Sequence, residues 1–247
     1  RRRILHADGD ATGAGVSRLL ASRVEKSERI DVLTHCQVVD LIVHEGECHG
    51  VVAVDAAGNP LAVTATGTVL ASGGCGQVFK YTTNDPTITG DGYAMAKRAG
   101  VLLRDMEFVQ FHPTALAIEQ NPMFLISEAV RGEGGVLVNE RGERFMENAH
   151  PWKDLAPRDV VTRAIDDQMR HGLNVYLDAT RIGKRFEQRF PTIARTCRQH
   201  GINPCCDWIP VTPAAHFVMG GIATNLFGET NMPRLFACGE TACTGVH

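Results

Sequence analysis

The residues whose types could carry chemistry lie in short polar segments between apolar runs, and two of them are histidines. His112 precedes Pro113, and proline disfavours helix at the residue before it, so His112 is predicted to be extended and able to project into a cavity. His216 is a polar ring within an apolar run. Histidine binds anions or exchanges protons near neutral pH when a charged partner lies nearby. Both residues are candidates for ligand binding, and for both the alternative is a hydrogen-bonded structural histidine.

A second candidate group combines acids, a hydroxyl and arginines. Ser127 and Glu128 precede Arg131 in a glycine-rich segment, for which a solvent-exposed turn with an ion pair is the alternative interpretation. Arg158 follows Pro157 near the predicted start of a helix, where the helix dipole disfavours a cation. Guanidinium groups bind carboxylates through paired hydrogen bonds, and residues that violate a local preference often serve function. Arg158 is therefore a candidate functional residue.

Two strand-like runs end in glycine. Residues 68–72 lead into Gly73 and Gly74, and residues 235–238 lead into a glycine followed by Glu240. In open α/β sheets, ligands bind outside the carboxyl ends of such strands. Glycine serves tight turns as readily as close approach of a cofactor, so a nucleotide site and a plain turn both fit. The G-x-G-x-x-G fingerprint is absent from the sequence, and the phosphate-binding turn is therefore not located.

Periodicity predicts the elements that must position these residues. Apolar residues at helical spacing, with cap signals, predict helices over residues 11–26, 89–99, 157–171 and 186–200. Asp10 is expected to cap the first helix, and Gly100 to end the second in a left-handed conformation. β-Branched runs predict strands over residues 30–43, 50–54, 61–66, 68–72 and 235–238. Residues 51–66 are predicted to form a small antiparallel meander around a turn at Gly58.

Composition and charge restrict the class of protein. The chain has 247 residues, of which 44% are hydrophobic, and this suits one large or two modest domains. A net charge of -3 gives no basic excess for binding nucleic acid or an anionic membrane. The apolar runs are far shorter than the roughly 20 residues of a membrane-spanning helix. The eight cysteines show no C-x-x-C spacing, so we expect no metal site and free thiols in a reducing compartment, the cytoplasm.

Several short motifs occur in order along nearly the whole chain: Ala71–Gly74, Thr89–Ala96, Gln110–Thr114, Arg131–Gly134, Leu155–Asp159 and Ala237–Glu240. Together they resemble the FAD-dependent flavoproteins of the succinate dehydrogenase and fumarate reductase superfamily. Within it, Leu155–Asp159 and the final Thr-Gly-Val-His resemble the L-aspartate oxidase family. The chain starts without methionine and ends within a motif, so we expect an internal piece of a longer protein.

The resemblance implies a fold and a division into domains. The expected fold class is α/β, with a flavin-binding doubly wound domain, incomplete in this chain, interrupted by an α+β capping domain. Residues 1–105 would be part of the FAD-binding domain, residues 106–217 the capping and substrate domain, and residues 218–247 the return segment of the FAD-binding domain. The active site is expected between the two domains.

The resemblance also implies the cofactor, FAD, and a set of site residues. FAD contacts are expected at Gln37, Val38, Gly73, Gly74, Asp91 and Glu240, with the backbone of the first two meeting the adenosine end. Dicarboxylate binding is expected at His112, Ser127 and His216. Arg158 would be the catalytic proton donor or acceptor, with Glu128 and Arg131 as a possible proton relay.

The implied reaction is the oxidation of L-aspartate to iminoaspartate in NAD biosynthesis, with oxygen or fumarate reoxidising the flavin. One alternative is a succinate dehydrogenase or fumarate reductase flavoprotein subunit, which would have an iron-sulfur partner. An alternative of another class is a non-catalytic fragment that binds a C4 dicarboxylate weakly.

Overall fold

The computed structural model describes residues 10–246, in which helices and strands form two compact units. Unit 1 comprises residues 10–32, 113–119 and 124–213, and unit 2 comprises residues 33–112, 120–123 and 214–246. The helices are α1 (Thr12–Glu25), α2 (Asp91–Arg98), α3 (Ala129–Gly132), α4 (Met146–Ala149), α5 (Arg158–Arg170), α6 (Arg185–Arg189) and α7 (Pro191–Gln199). The strands are β1 (Gln37–His44), β2 (Glu47–Val54), β3 (Pro60–Thr64), β4 (Thr68–Leu70), β5 (Leu103–Arg104), β6 (Val109–Leu116), β7 (Val136–Asn139), β8 (Val175–Asp178), β9 (Ile209–Val218), β10 (Gly221–Ala223), β11 (Leu235–Ala237) and β12 (Ala242–Cys243).

Unit 2 contains the predicted antiparallel meander. Strands β1, β2 and β3 pair in that order, with Val51 opposite Val63 in the β2–β3 register, so this prediction is confirmed. The strand predicted to begin at Ile30 begins instead at Gln37. His35 has a φ of 54°, a left-handed conformation that interrupts an extended chain, and it explains the later start.

The two glycine-terminated strands of unit 2 lie next to each other. Strands β4 and β11 pair in parallel, with Val69 opposite Phe236, and Cys238 N donates to Leu70 O at 3.0 Å. A separate sheet has the order β12-β10-β5. Because β4 and β11 run in the same direction, the segments that follow them emerge at the same edge of the pair.

Helix α2 packs its apolar face into the core of unit 2. Tyr93, Met95 and Ala96 are buried there, and Gly100 has the predicted left-handed conformation with a φ of 78°. The helix begins at Asp91, directly after Gly90 in a left-handed conformation. Two features thereby fix the start of α2: the buried side chains of the helix itself and the glycine turn directly before it.

Unit 1 is built on a sheet with the order β6-β9-β8-β7, in which β7 pairs with β8 and β8 with β9 in antiparallel directions. Its core contains Leu177 and Ile209 from the sheet, with Ile165 of α5 and Phe186 of α6. Strands β6 and β9 each continue from one unit into the other, after residues 112 and 213. Helix α5 runs from Arg158 to Arg170, which confirms the helix predicted after Pro157.

Two helix predictions are wrong in detail. The helix expected over residues 186–200 is broken into α6 and α7, because Pro191 has no amide hydrogen and Phe190 adopts a φ of -132°. Asp10 does not cap α1, which has no side-chain cap. Its carboxylate accepts hydrogen bonds from the Thr192 and Ile193 amides at the start of α7, both at 3.2 Å. These contacts join α1 and its neighbouring residues to the rest of unit 1.

Mixed sheets and helices make the fold α/β. No helix within residues 10–246 is long and apolar enough to cross a membrane. Over the same residues, no cluster of three or more histidine, cysteine or acidic side chains could hold a metal ion.

Candidate functional site

The ends of β4 and β11 are packed so closely that glycine is required. A Cβ atom on Gly74 would lie 2.3 Å from Oε1 of Glu240. That oxygen accepts a hydrogen bond from Val218 N at 2.8 Å, and the Tyr93 hydroxyl donates to the Glu240 carbonyl at 2.7 Å. Gly73 has a φ of 75°, which also favours glycine. Three predicted cofactor residues, Gly73, Gly74 and Glu240, are therefore brought together in unit 2.

Two hydroxyl residues that sequence reasoning missed connect the same strand ends. Thr241 Oγ1 donates to the Gly73 carbonyl at 3.1 Å and lies 3.4 Å from Ser72 Oγ. A Cβ on Gly92 of α2 would lie 2.1 Å from Ser72 Oγ. Burial, assisted by the charge of Glu240, raises the pKa of Tyr93, so the phenol stays protonated and can donate. Both residues could have been predicted from the sequence, because each lies within two residues of a glycine at the end of a predicted strand.

A cavity of about 720 Å³ in unit 2 is lined by two of the other three predicted cofactor residues, Gln37 and Asp91. Thr87, Thr89 and Asp55 also line it, and Thr89 Oγ1 donates to Asp91 Oδ2 at 2.9 Å. Its volume lies in the usual range for small-molecule sites. Carboxylates repel phosphate but accept hydrogen bonds from hydroxyl or amino groups, so these acceptors suit the adenosine part of a nucleotide.

Val38 lies beside Gln37 in β1. Its side chain packs against the core of unit 2, and it pairs with Ala53 in the β1–β2 register. A contact from Val38 to a cofactor would therefore come from its backbone.

The two predicted dicarboxylate histidines meet in unit 2. Their ring centroids are 5.2 Å apart and the ring planes are inclined by 69°. His112 is buried, with 1% exposure, and His216 is half-buried. Thr83 Oγ1 lies 2.7 Å from Nδ1 of His216, and Asn84 Nδ2 donates to the His216 carbonyl at 2.8 Å. Two imidazoles held this close can bind neighbouring oxygens of one anionic ligand.

The predicted catalytic arginine is paired with a predicted relay acid in unit 1. Arg158 Nε donates to Glu128 Oε2 at 2.7 Å, and both side chains are about a third to a half exposed. Arg158 is the first residue of α5, after Pro157. The carboxylate offsets the unfavourable position of a cation at a helix start. Ser127 Oγ, one residue before Glu128, accepts a hydrogen bond from Ala129 N at 3.2 Å.

Arg131, the other predicted relay residue, is buried, with 2% exposure. Its Nη1 donates to the Asp154 carbonyl, while Nε and Nη2 have no hydrogen-bond partner within residues 10–246. Burial lowers the pKa of Arg131; the negative charges of Glu128 and Asp154 oppose this, and the positive charge of Arg158 adds to it. We call these four residues of unit 1 the charge group: Glu128, Arg131, Asp154 and Arg158.

Asp154 was not predicted to belong to this group. Its Oδ1 accepts from Leu137 N at 2.8 Å, which ties the segment before α5 to strand β7. Asp154 directly precedes the Leu155–Asp159 motif without belonging to it, and the packing of unit 1 brings it to Arg131. The structure thus groups Glu128, Arg131 and Arg158 within unit 1, and His112 with His216 within unit 2.

Comparisons with known proteins agree with the cofactor prediction. The family model for the FAD binding domain matches residues 1–247, and FAD is therefore confirmed as the cofactor. The L-aspartate oxidase of Bacillus subtilis (strain 168) is 48% identical over 245 residues, covering 99% of this chain and 46% of that protein. The L-aspartate oxidase of Streptomyces coelicolor is 49% identical over 263 residues, covering 100% of this chain and 44% of that protein.

A solved structure described as quinol-fumarate reductase with menaquinol molecules is similar with a TM-score of 0.89. It is 36% identical, and the match covers 98% of this chain and 45% of that chain. The chain spans about half the length of the curated relatives it matches. The chain belongs to the FAD binding domain family, within the superfamily of succinate dehydrogenase and fumarate reductase flavoproteins.

Proposed function

We propose that this chain carries catalytic residues of a flavoprotein that oxidises L-aspartate to iminoaspartate, a reaction of NAD biosynthesis. The observation that carries the proposal is the charge group, in which Arg158 and Glu128 are paired and Arg131 is buried. The substrate is inferred from the curated relatives, which are named L-aspartate oxidases and are 48% and 49% identical to this chain.

The cofactor residues proposed here all belong to unit 2, where the close approach of Gly74 to Glu240 and the cavity beside Asp91 fit a bound nucleotide. The residues proposed to hold FAD are Gln37, Val38, Gly73, Gly74, Asp91 and Glu240. When bound, FAD supplies the hydride acceptor for the hydrogen on the substrate α-carbon.

The substrate carboxylates are proposed to be bound by His112, His216 and Ser127. An imidazole N–H donates to a carboxylate oxygen in the neutral ring and more strongly in the protonated ring. The Ser127 oxygen accepts from Ala129 N, and its O–H hydrogen can still donate to substrate. These contacts would fix the α-carbon of the substrate, which is the positioning part of catalysis.

Arg158 is proposed to be the proton donor or acceptor: its guanidinium group would exchange a proton with the substrate. An arginine is normally a poor proton carrier because its pKa is above about 12. Glu128 Oε2 accepts from Arg158 Nε and is the group to which a proton could pass. Burial lowers the pKa of Arg131, so its guanidinium gives up a proton more readily than that of an exposed arginine. Protons would then pass between Arg158, near the surface, and Arg131, in the interior of unit 1, by way of Glu128.

For the fold, we propose that β4 and β11 belong to a doubly wound flavin-binding sheet made from residues 1–105 and 218–247. Residues 106–217 would form the α+β capping domain that carries the charge group. We propose a cytoplasmic protein with oxygen or fumarate as the electron acceptor, without nucleic-acid or membrane partners.

A second candidate is a succinate dehydrogenase or fumarate reductase flavoprotein subunit with an iron-sulfur partner. The TM-score of 0.89 to a quinol-fumarate reductase favours it. The two functions are separated by substrate: peroxide formed from L-aspartate without a partner protein supports the oxidase, and turnover of succinate alone supports the alternative.

Arg158→Leu tests the proposed mechanism in the intact FAD-loaded protein. We expect L-aspartate oxidation and fumarate reduction to be abolished while the flavin absorbance of the purified protein is unchanged. Arg163→Leu is a matched control, because Arg163 lies on the same helix, is exposed and pairs only with the exposed Asp159 among the ion pairs of residues 10–246. Retained activity in Arg158→Leu would remove Arg158 from the mechanism.

A further inference from the structure

The backbone directly before His216 is clamped by residues 81–84, none of which was a candidate site residue. Thr83 N donates to the Ala215 carbonyl at 3.0 Å, and Ala215 N donates to the Tyr81 carbonyl at 2.8 Å. Thr82 forms a parallel bridge with Ala215, and the buried Oγ1 of Thr82 donates to the Ala215 carbonyl at 2.9 Å. The two segments are separated by more than a hundred residues in sequence, so their contact depends on the fold of unit 2.

The same segment also holds the His216 ring. Thr83 Oγ1 lies 2.7 Å from His216 Nδ1, at the short end of the range for this kind of hydrogen bond. Asn84 Nδ2 donates to the His216 carbonyl at 2.8 Å, so residue 216 is held through both its backbone and its side chain. The ring cannot rotate about its side-chain torsions without breaking the Thr83 contact.

We propose that Thr83 is a positioning residue that stabilises the Nε2–H form of His216 for binding a substrate carboxylate. The inference rests on the proposed function, in which His216 contacts the dicarboxylate. When Thr83 donates to Nδ1, the ring proton of the neutral imidazole lies on Nε2, and Nε2–H is the group that donates to the carboxylate. In the other tautomer, Nε2 carries a lone pair and repels the carboxylate.

A hydroxyl is suited to this role because it can donate its hydrogen to an unprotonated Nδ1. If His216 takes up a second proton, the Thr83 hydroxyl can turn and accept from Nδ1–H, so the ring keeps the same orientation. The partner on one imidazole nitrogen determines which form the other nitrogen takes. A side chain of the same shape without a hydroxyl would remove the hydrogen bond at Nδ1.

Thr83→Val is the direct test, because valine keeps the branched shape and removes only the hydroxyl. Long-range ¹H–¹⁵N correlation spectra of the histidine rings report the tautomer, with the His216 signals assigned by comparison with His216→Gln. We expect mainly the Nε2–H form in the unsubstituted protein and a mixture of tautomers in Thr83→Val. In the intact FAD-loaded protein, the KM for L-aspartate should rise about fivefold with kcat nearly unchanged, the size expected for one hydrogen bond.

Two further variants distinguish positioning from a general structural effect. Thr83→Ser restores the hydroxyl and should recover both the tautomer and the KM. Thr82→Val removes a buried hydroxyl from the same clamp, so it should lower the melting temperature and leave the His216 tautomer unchanged. If Thr83→Val does not fold, Thr83→Ala is compared with Thr83→Ser in the same way.

The inference is overturned if His216 keeps the same tautomer without the Thr83 hydroxyl, if serine fails to restore it, or if Thr82→Val changes it equally. The spectra do not depend on turnover. If the protein fails to oxidise L-aspartate but the tautomer responds to Thr83, the proposed function fails and the role of Thr83 stands.

Discussion

Substituting Gly74 with alanine tests whether the Glu240 carboxylate occupies the position described at the ends of β4 and β11. The new Cβ would lie 2.3 Å from Glu240 Oε1, a distance that no real contact allows. Gly74 does not have a left-handed φ, so the backbone accepts alanine and the carboxylate must move instead. Its displacement breaks the 2.8 Å hydrogen bond from Val218 N.

The size of the effect follows from that one bond. A hydrogen bond to a charged group contributes about 1.5–3 kcal/mol, so Gly74→Ala should lower the free energy of unfolding by about 2 kcal/mol. For a chain of this length, the corresponding fall in melting temperature is about 4–8 °C. FAD binding should weaken as well, because Gly74 and Glu240 are both proposed to contact the cofactor.

Urea denaturation of four proteins isolates this contact: unsubstituted, Gly74→Ala, Glu240→Ala and the double variant. Since Glu240→Ala removes the obstructing carboxylate, the double variant should be more stable than the sum of the single effects by about 2 kcal/mol. Gly13→Ala is the control, because Gly13 lies in α1 and a Cβ there meets no atom within 4 Å. Additive effects, or an unchanged stability in Gly74→Ala, would refute the geometry of this site.

Two further predictions concern unit 1. Asp10→Ala should cost about 1 kcal/mol and increase hydrogen exchange at the Thr192 and Ile193 amides of α7, whereas faster exchange only in α1 would contradict the observed cap. Burial raises the pKa of Cys197 from 9.0 to about 11. The folded state therefore keeps a proton that the unfolded state loses, and this contribution to stability is complete below pH 9 and lost as the pH rises towards 11. Urea midpoints should show this alkaline loss in the unsubstituted protein and a smaller one in Cys197→Ala; identical pH profiles would exclude it.

Features that depend on neighbouring residues were predictable from the sequence. The meander of β1 to β3 follows from β-branched runs around a turn, and Gly100 ends α2 because a left-handed conformation favours glycine. The start of α5 at Arg158 follows from Pro157 and the apolar spacing after it. The break between α6 and α7 at Pro191 was missed although its signal is local, because the apolar periodicity continues across it.

The identity of the candidate site residues came from ordered motifs, but their partners came only from the tertiary structure. The family resemblance predicted that Glu128, Arg131 and Arg158 act together, and it gave no reason to add Asp154. Likewise, nothing near His216 in the sequence indicates Thr83, which lies more than a hundred residues earlier. Propensity and periodicity act over a few residues, whereas a buried polar atom binds whichever partner the packed chain brings within about 3 Å.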